Sequence, residues 1–310
     1  MRNFAKTENS LYFRKAFITN THSMIQLKPY SINVRGRLKE IDRPWVMGIL
    51  NLTPDSFYEE SRCDDVDKLM LRIGQMVEEG ADVIDVGAYS TRPGAAEVTA
   101  DEEFARLKSG MAVLKRLAPD VLTSVDTFRA DVAARCVEEL GVDMVNDVSG
   151  GELDKEMFAT VARLRVPYIV MHMRGTPATM QQMTQYDDVT AEVLESLARK
   201  IDQLHQLGVA DVIADPGFGF SKTLEQNYEM LSQLNAFAKL DVPLLVGVSR
   251  KSMIYKALGT APAEAVNGTT VLNTMALLQG AHILRVHDVK AAAEAVKLVK
   301  MTYPEMYKSS

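Results

Sequence analysis

Eight short, nearly continuous apolar runs recur along this chain, and segments with a helical period separate them. The runs cover residues 45–52, 83–87, 121–126, 144–147, 168–173, 212–215, 244–249 and 283–287. A strand with one wet face alternates apolar and polar residues. These runs do not alternate, which is the pattern of parallel strands buried on both faces. Between them, residues 64–80 carry Val66, Leu69, Met70, Ile73 and Val77 on one helical face and stop at Gly80. Helical patterns follow at 103–117, 128–140, 155–164, 188–207, 223–240, 250–258, 263–278 and 289–301. Strands that alternate with helices predict an α/β fold with a parallel sheet. Eight such units predict a (β/α)8 TIM barrel; a doubly wound open sheet is the alternative that periodicity leaves open. Residues 31–42 (SINVRGRLKEID) predict an N-terminal β-hairpin turning at Gly36, placed to close the bottom of the barrel.

Composition matters here for what it excludes. Over 310 residues, 47% hydrophobic and 25% charged side chains describe a globular chain long enough to bury its core without disulfides. The two cysteines, Cys63 and Cys136, read as reduced thiols, as in a cytoplasmic protein. A net charge of −6 argues against nucleic acid, and no run approaches the ~20 apolar residues a membrane helix needs. Residues 1–23 hold Arg2, Lys6, Arg14 and Lys15 against Glu8 and lack the apolar stretch of a secretory signal. They are expected to be a disordered extension, with Met24 as an alternative start and a transit peptide as a further reading. Residues 24–310 are expected to form a single domain.

Polar residues fall where a core would not choose them, at the C-terminal ends of the runs. The first leads into Asn51, Thr53 and Asp55, the second into Ser90, Thr91 and Arg92, and the third ends at Asp126. The fourth ends at Asn146 and Asp147. Later ones lead into Arg174, Asp215, and Ser249, Arg250 and Lys251, and the last carries Arg285 and His287. In a barrel these ends converge on the face where active sites are built. Asp126, Asn146 and Asp215 taken singly read equally well as helix N-caps. Lys251, Arg285 and His287 are not cap residues.

This set of residue types fits a particular chemistry. Asp126, Asn146 and Asp215 offer acceptors and donors to a flat heterocycle rich in N–H and C=O groups. Arg285 and His287, two apart on one strand, suit a phosphate. Asn51 offers a hard oxygen of the kind Mg²⁺ shares with substrate phosphates. The loop at 216–220 (PGFGF) reads either as a plain turn with glycine at positive φ or as a backbone wall that lets a planar ring approach. Gly150-Gly151 reads as turn chemistry. No dinucleotide-binding or phosphate-loop glycine motif is present.

Taken together, these junctions resemble the dihydropteroate synthases. The resemblance rests on 47–57 (MGILNLTPDSF), 85–94 (DVGAYSTRPG), 124–127 (SVDT), 146–149 (NDVS), 215–220 (DPGFGF), 247–251 (GVSRK) and 285–289 (RVHDV), in family order over about residues 30–303. It implies the barrel, and a reaction in folate biosynthesis. There 4-aminobenzoate displaces diphosphate from 6-hydroxymethyl-7,8-dihydropterin diphosphate to give 7,8-dihydropteroate, with Mg²⁺ as cofactor. By matching position, Asp126, Asn146, Asp215 and Lys251 would hold the pterin. Asn51, Thr91, Arg285 and His287 would hold the diphosphate, with Mg²⁺ at Asn51. Phe57, Arg92, Pro93, Phe220 and Ser249 would border the 4-aminobenzoate pocket, beside Lys251, and sulfonamides would compete there. Asp126, Lys251, Arg285 and His287 would be catalytic. The resemblance also implies a homodimer, for which the apolar stretch 276–280 is a candidate surface that core packing explains equally well.

Two loops depart from the family pattern. Where the first signature usually continues Ser-Asp-Gly-Gly, this chain has Tyr58-Glu59-Glu60-Ser61. Where the second usually reads Gly-Gly-Glu-Ser, it has Gly87-Ala88-Tyr89-Ser90, with Glu59 or Glu60 as candidate replacements for the missing acid. The altered loops keep two other functions in view: a catalytically inactive pterin-binding paralogue, and a barrel acting as a methyltetrahydrofolate methyltransferase. The second has no use for a diphosphate patch, so Arg285 and His287 argue against it.

Overall fold

The computed structural model describes residues 27–52, 62–89 and 98–307, the first four residues of the helix at 62 by backbone alone. The expectations for residues 1–23, and for Thr53, Asp55, Phe57, Tyr58–Ser61, Ser90, Thr91, Arg92 and Pro93, lie outside the described residues.

Two strands, β1 (Tyr30–Val34) and β2 (Arg37–Ile41), form the expected antiparallel hairpin. Arg35 and Gly36 turn it with φ of 52° and 77°, the paired positive values whose twist matches that of the flanking strands. Next come β3 (Trp45–Asn51), β4 (Val83–Gly87), β5 (Leu122–Asp126), β6 (Met144–Asp147), β7 (Tyr168–Met171), β8 (Val212–Asp215), β9 (Leu245–Val246) and β10 (Ile283–Val286). All neighbouring pairs among these eight are parallel, and β10 returns to pair with β3. A parallel bridge from Ala214 to Leu244 joins β8 to β9 and completes the circle. The TIM barrel stands, and the open sheet is excluded.

Helices α1 (Arg62–Glu78), α2 (Ala100–Leu117), α3 (Ala130–Leu140), α4 (Met157–Leu164), α5 (Val189–Gln206) and α6 (Leu224–Ser232) each follow one strand from β3 to β8. Helices α7 (Ser252–Leu258) and α8 (Val266–Leu278) both follow β9, and α9 (Val289–Thr302) follows β10. Their limits have local causes. Thr99 caps α2 by accepting the Glu102 N–H, and Thr223 and Gln226 form a reciprocal capping box on α6. Gly141 ends α3 at φ 61°. The expected helix at 223–240 is two elements: α6 gives way at Gln233 to a 3-10 turn over Leu234–Leu240. Leu234 and Phe237 are both buried, and their spacing of three suits the three-residue winding.

Successive strand residues point to opposite faces, so the barrel interior is built in tiers. The lowest tier holds Met47, Val83, Met144, Ile169, Ile213, Leu245 and Ile283, and the hairpin plugs it from below with Ile32, Val34 and Ile41. The alternate residues, among them Val46, Ile84, Val145, Val170, Val246 and Leu284, face the helices and form the larger core. Two residues further along, the inward positions of β4, β5, β6, β8 and β10 turn polar, and there the site begins.

Candidate active site

The tier above the plug carries Asp85 on β4, Ser124 on β5, Asn146 on β6, Asp215 on β8 and Arg285 on β10. Asp85 is wholly buried. Its Oδ2 accepts from Arg285 Nε at 2.7 Å and from Asn146 Nδ2 at 2.9 Å. Arg285 then reaches up to Asp126 Oδ2 at 2.6 Å, with the Arg285 and Asp126 side chains each 18% exposed. A guanidinium held by two carboxylates has its plane fixed, because its donors leave in set directions. The Asn51 side chain lies nearby at the rim: its Oδ1 and Asp126 Cβ both fall within 4 Å of where a side chain on Gly87 would begin.

Two opposed effects act on Asp126. Burial pushes its carboxyl up, Arg285 pulls it down, and Asp85, Asp147 and Glu103 push it up again, leaving it at about 7. Burial likewise raises Asp215, against the pull of Lys251 and a bond from the Gly217 N–H. Lys251 is pushed down to about 8 by burial, which the nearby Asp215 partly opposes. Asp126 and Lys251, at one end of the barrel, therefore sit near neutrality, the condition for groups that exchange charge with a ligand.

The 217–220 turn walls this face. Gly217 and Gly219 hold φ of 70° and 80°, and Lys251 Nζ donates to the Phe218 carbonyl at 2.5 Å while lying 4.6 Å from the centre of the Phe220 ring. Phe218 points into the core, fully buried, and Phe220 packs beside Met171, Met173 and Met180. Ser221 sits at φ 47°, a conformation glycine would hold more easily, and its hydroxyl accepts the Arg174 backbone N–H at 3.0 Å. Ser249 Oγ meets His287 Nδ1 at 3.0 Å and accepts the His287 backbone N–H. The side chains of Arg285 and His287 thus stand against different partners: carboxylates for the first, Ser249 for the second.

Not every polar strand end belongs to the mouth. Asp147 accepts from Tyr168 Oη at 2.7 Å and from the backbone of Ser149 and Gly151, so it builds the turn at Gly150-Gly151, whose φ values are 57° and 81°. Arg174 stacks over Tyr186 and pairs with Glu192 at 2.7 Å, bracing the segment before α5. Arg250 forms a two-pronged pair with Asp288 at 2.9 and 2.6 Å. Two residues of the site were not singled out from sequence. Asp85 had a signal, a lone acid inside the apolar run VIDVG. Lys222, whose Nζ donates to the Gly217 and Phe220 carbonyls of the turn at 2.9 and 3.0 Å, had none, since it lies past the strand end in a loop.

A closed (β/α)8 barrel with such groups gathered at the C-terminal ends of its strands is an enzyme scaffold. Residues 47–287 match the family described as pterin binding enzyme. The chain is 40% identical to a dihydropteroate synthase of Escherichia coli over 86% of this chain and 95% of that one. Among solved structures, the Thermus thermophilus dihydropteroate synthase in complex with 4-aminobenzoate matches with a TM-score of 0.78 and 39% identity, over 88% of this chain and 100% of that one. The Xanthomonas albilineans enzyme in complex with 7,8-dihydropteroate matches with a TM-score of 0.77 and 34% identity, over 88% and 98%. The chain belongs to the pterin-binding enzymes and, within them, to the dihydropteroate synthases, transferases of folate biosynthesis.

Proposed function

We propose that this chain joins 4-aminobenzoate to 6-hydroxymethyl-7,8-dihydropterin diphosphate, releasing diphosphate and 7,8-dihydropteroate, and that its residues divide the work as follows. The observation that carries the reading is the Asp85–Arg285–Asp126 chain of bonds, which aims a fixed cation and a near-neutral carboxyl at one mouth. Asp126, Asn146, Asp215 and Lys251 hold the pterin through its N–H and C=O edge. Asn51, Thr91, Arg285 and His287 hold the diphosphate. Phe57, Arg92, Pro93, Phe220 and Ser249 border the 4-aminobenzoate, and sulfonamides compete for that pocket.

Mg²⁺ fits this donor set. Among the described residues no group of three or more His, Cys, Asp or Glu side chains stands ready to cage a metal, whereas the exposed Asn51 offers one oxygen. An ion held by one amide oxygen, by diphosphate oxygens and by water is the ordinary Mg²⁺ arrangement, and it would neutralise charge on the leaving group. The methylene C–O bond breaks with its electron pair leaving on diphosphate, which Arg285 and His287 receive. Asp126 as a carboxylate favours the positive charge then spread over the pterin and its methylene. The amine lone pair closes the new C–N bond, and its proton leaves to solvent or diphosphate. An aniline nitrogen needs no activated nucleophile of the protein.

The pH dependence follows from these roles. Asp126 must be ionised, so kcat/KM for the pterin diphosphate falls as pH drops through about 7. Lys251 must carry its proton, so the same quantity falls as pH rises through about 8. The expected profile is a narrow bell between those limbs, with turnover abolished by EDTA and restored by Mg²⁺. A flat profile from pH 5 to 9, or EDTA-insensitive turnover, contradicts these assignments.

The proposal extends to the assembly and compartment. We take residues 24–310 as one pterin-binding domain, with 1–23 as an extension. Ala276 and Leu277 are buried against the barrel, so core packing accounts for that part of 276–280. Val271, Met275 and Leu278 on the outer side of α8 remain exposed, and a homodimer through that face would cover them. A cytoplasmic setting agrees with Cys136, a free and fully buried thiol whose burial pushes it up to about 12. No helix among the described residues is long and apolar enough to cross a membrane.

A further inference from the structure

Behind the 217–220 turn, on its core side, lies a second lysine. Lys222 is 4% exposed, and its Nζ lies 2.9 Å from the Gly217 carbonyl oxygen, 3.0 Å from that of Phe220 and 3.1 Å from His172 Nδ1. Three acceptors match the three N–H donors of an ammonium. The His172 ring is 2% exposed and pushed down to about 2, chiefly by burial and then by Lys222, so it is neutral and can accept at Nδ1. Burial takes Lys222 itself down to about 7, opposed by Asp215.

The rest of the turn is held as closely. The Gly217 N–H donates to Asp215 Oδ1 at 2.8 Å, and the Gly219 N–H to Asn227 Oδ1 at 2.6 Å. From the mouth side, Lys251 takes the Phe218 carbonyl. The carbonyls of Gly217, Phe218 and Phe220 are thus shared between two lysines on opposite sides of one short segment. With glycines at 217 and 219, that segment has wide conformational freedom of its own, and the lysines remove it. Lys251 would exchange contacts when a ligand arrives. Lys222 is spent wholly on the turn and on His172.

We infer that Lys222 is a positioning residue for the 4-aminobenzoate side of the site: gripping the Gly217 and Phe220 carbonyls from behind against His172, it fixes the turn that presents the Phe220 ring. This rests on the proposed reading of Phe220 as a wall of the aminobenzoate pocket. The Asp215 backbone is held by the sheet, through its register with Met171 on β7 and the His172 N–H, which donates to its carbonyl at 3.0 Å, although its side chain also accepts the Gly217 N–H of the turn. Loosening the turn therefore displaces Phe220, which belongs to the turn, more than Asp215, whose backbone stays in the sheet.

The test is steady-state kinetics of the full chain with each substrate varied in turn, for the native protein, Lys222→Met and Lys222→Gln. Lys222→Met is expected to raise KM for 4-aminobenzoate about tenfold or more, with kcat and KM for the pterin diphosphate changed by no more than about threefold. Lys222→Gln, which keeps two N–H donors without the charge, is expected to fall between, with a rise of about threefold or more. If Lys222→Met fails to fold, the glutamine variant decides alone by the same criterion. An unchanged KM for 4-aminobenzoate, a fall confined to kcat, or an equal rise in both KM values overturns the inference. A native protein that releases no diphosphate contradicts the proposed function and takes this inference with it. Turnover by the native protein with indifferent variants contradicts only the role of Lys222.

Discussion

Lys251→Ala is expected to lower kcat/KM for the pterin diphosphate by about 10²–10³, the usual cost of removing one preorganised donor from a reacting centre. The argument is geometric. The Lys251 ammonium lies at the meeting point of the Phe218 carbonyl, the Phe220 ring and the field of Asp215. Its depressed affinity for a proton shows that burial, more than any partner, sets its state, so a ligand acceptor brought beside it gains a strong bond. The fold should survive the change. Lys251 is the residue just before α7, with extended backbone angles of −77° and 160°, and its side chain makes no capping bond to that helix. Alanine there gives up no cap, and the loss of stability should stay near 1 kcal/mol. Kinetics and a thermal melt on the same preparation check both halves. Wild-type kcat/KM in a folded Lys251→Ala protein sinks the site assignment.

Arg285→Met is expected to remove activity and also to destabilise the fold, which separates it from Lys251→Ala. Arg285 is the cation between Asp85, wholly buried, and Asp126 at the rim. Without it, Asp85 keeps only the Asn146 amide on Oδ2, and its other oxygen has no hydrogen-bond partner among the described residues. Breaking a buried pair from one side costs about 3–5 kcal/mol, because a carboxylate is left uncompensated. In a chain of this length that lowers Tm by roughly 5–8 °C. Asp85→Asn added to Arg285→Met removes the stranded charge and should recover part of the Tm, but none of the activity. If Arg285→Met melts with the native protein, the bonds to Asp85 are not what holds this tier together.

The strands and the barrel were legible in the sequence because two-sided burial leaves a run with nothing but apolar residues to choose. Three of the expected runs, 83–87, 144–147 and 212–215, coincide with β4, β6 and β8 to the residue. The run at 244–249 shrinks to Leu245–Val246, since from Gly247 onward the chain leaves the sheet and turns toward α7 at Lys251. Its apolar character continues because Val248 is buried off the sheet, and composition does not record that difference.

The site was legible in part, for a related reason. Asp126, Asn146, Asp215, Ser249, Lys251, Arg285 and His287 stand out as polar residues where strands end. Position alone does not separate the mouth from its supports: Asp147, Arg174 and Arg250 occupy equivalent places and spend their bonds on turns and helix starts. Arg285 and His287 read from spacing as one cationic patch, yet their present partners are long-range ones, Asp85 at a separation of 200 residues and Ser249 at 38. No local pattern encodes such pairings. Phe218 and Phe220 show the same limit within one motif, the first in the core and the second in the wall of the mouth.

The central claim is that this barrel condenses two substrates rather than only holding a pterin. The most direct measurement uses the purified protein with Mg²⁺, 6-hydroxymethyl-7,8-dihydropterin diphosphate and 4-aminobenzoate, each omitted in turn, following diphosphate and dihydropteroate together. The account predicts equal amounts of both products in the complete mixture and dihydropteroate in none of the others. Tight binding of the pterin diphosphate with no dihydropteroate formed would contradict it, and would identify the chain as a binder whose departures at 58–61 and 88–89 have cost it the reaction.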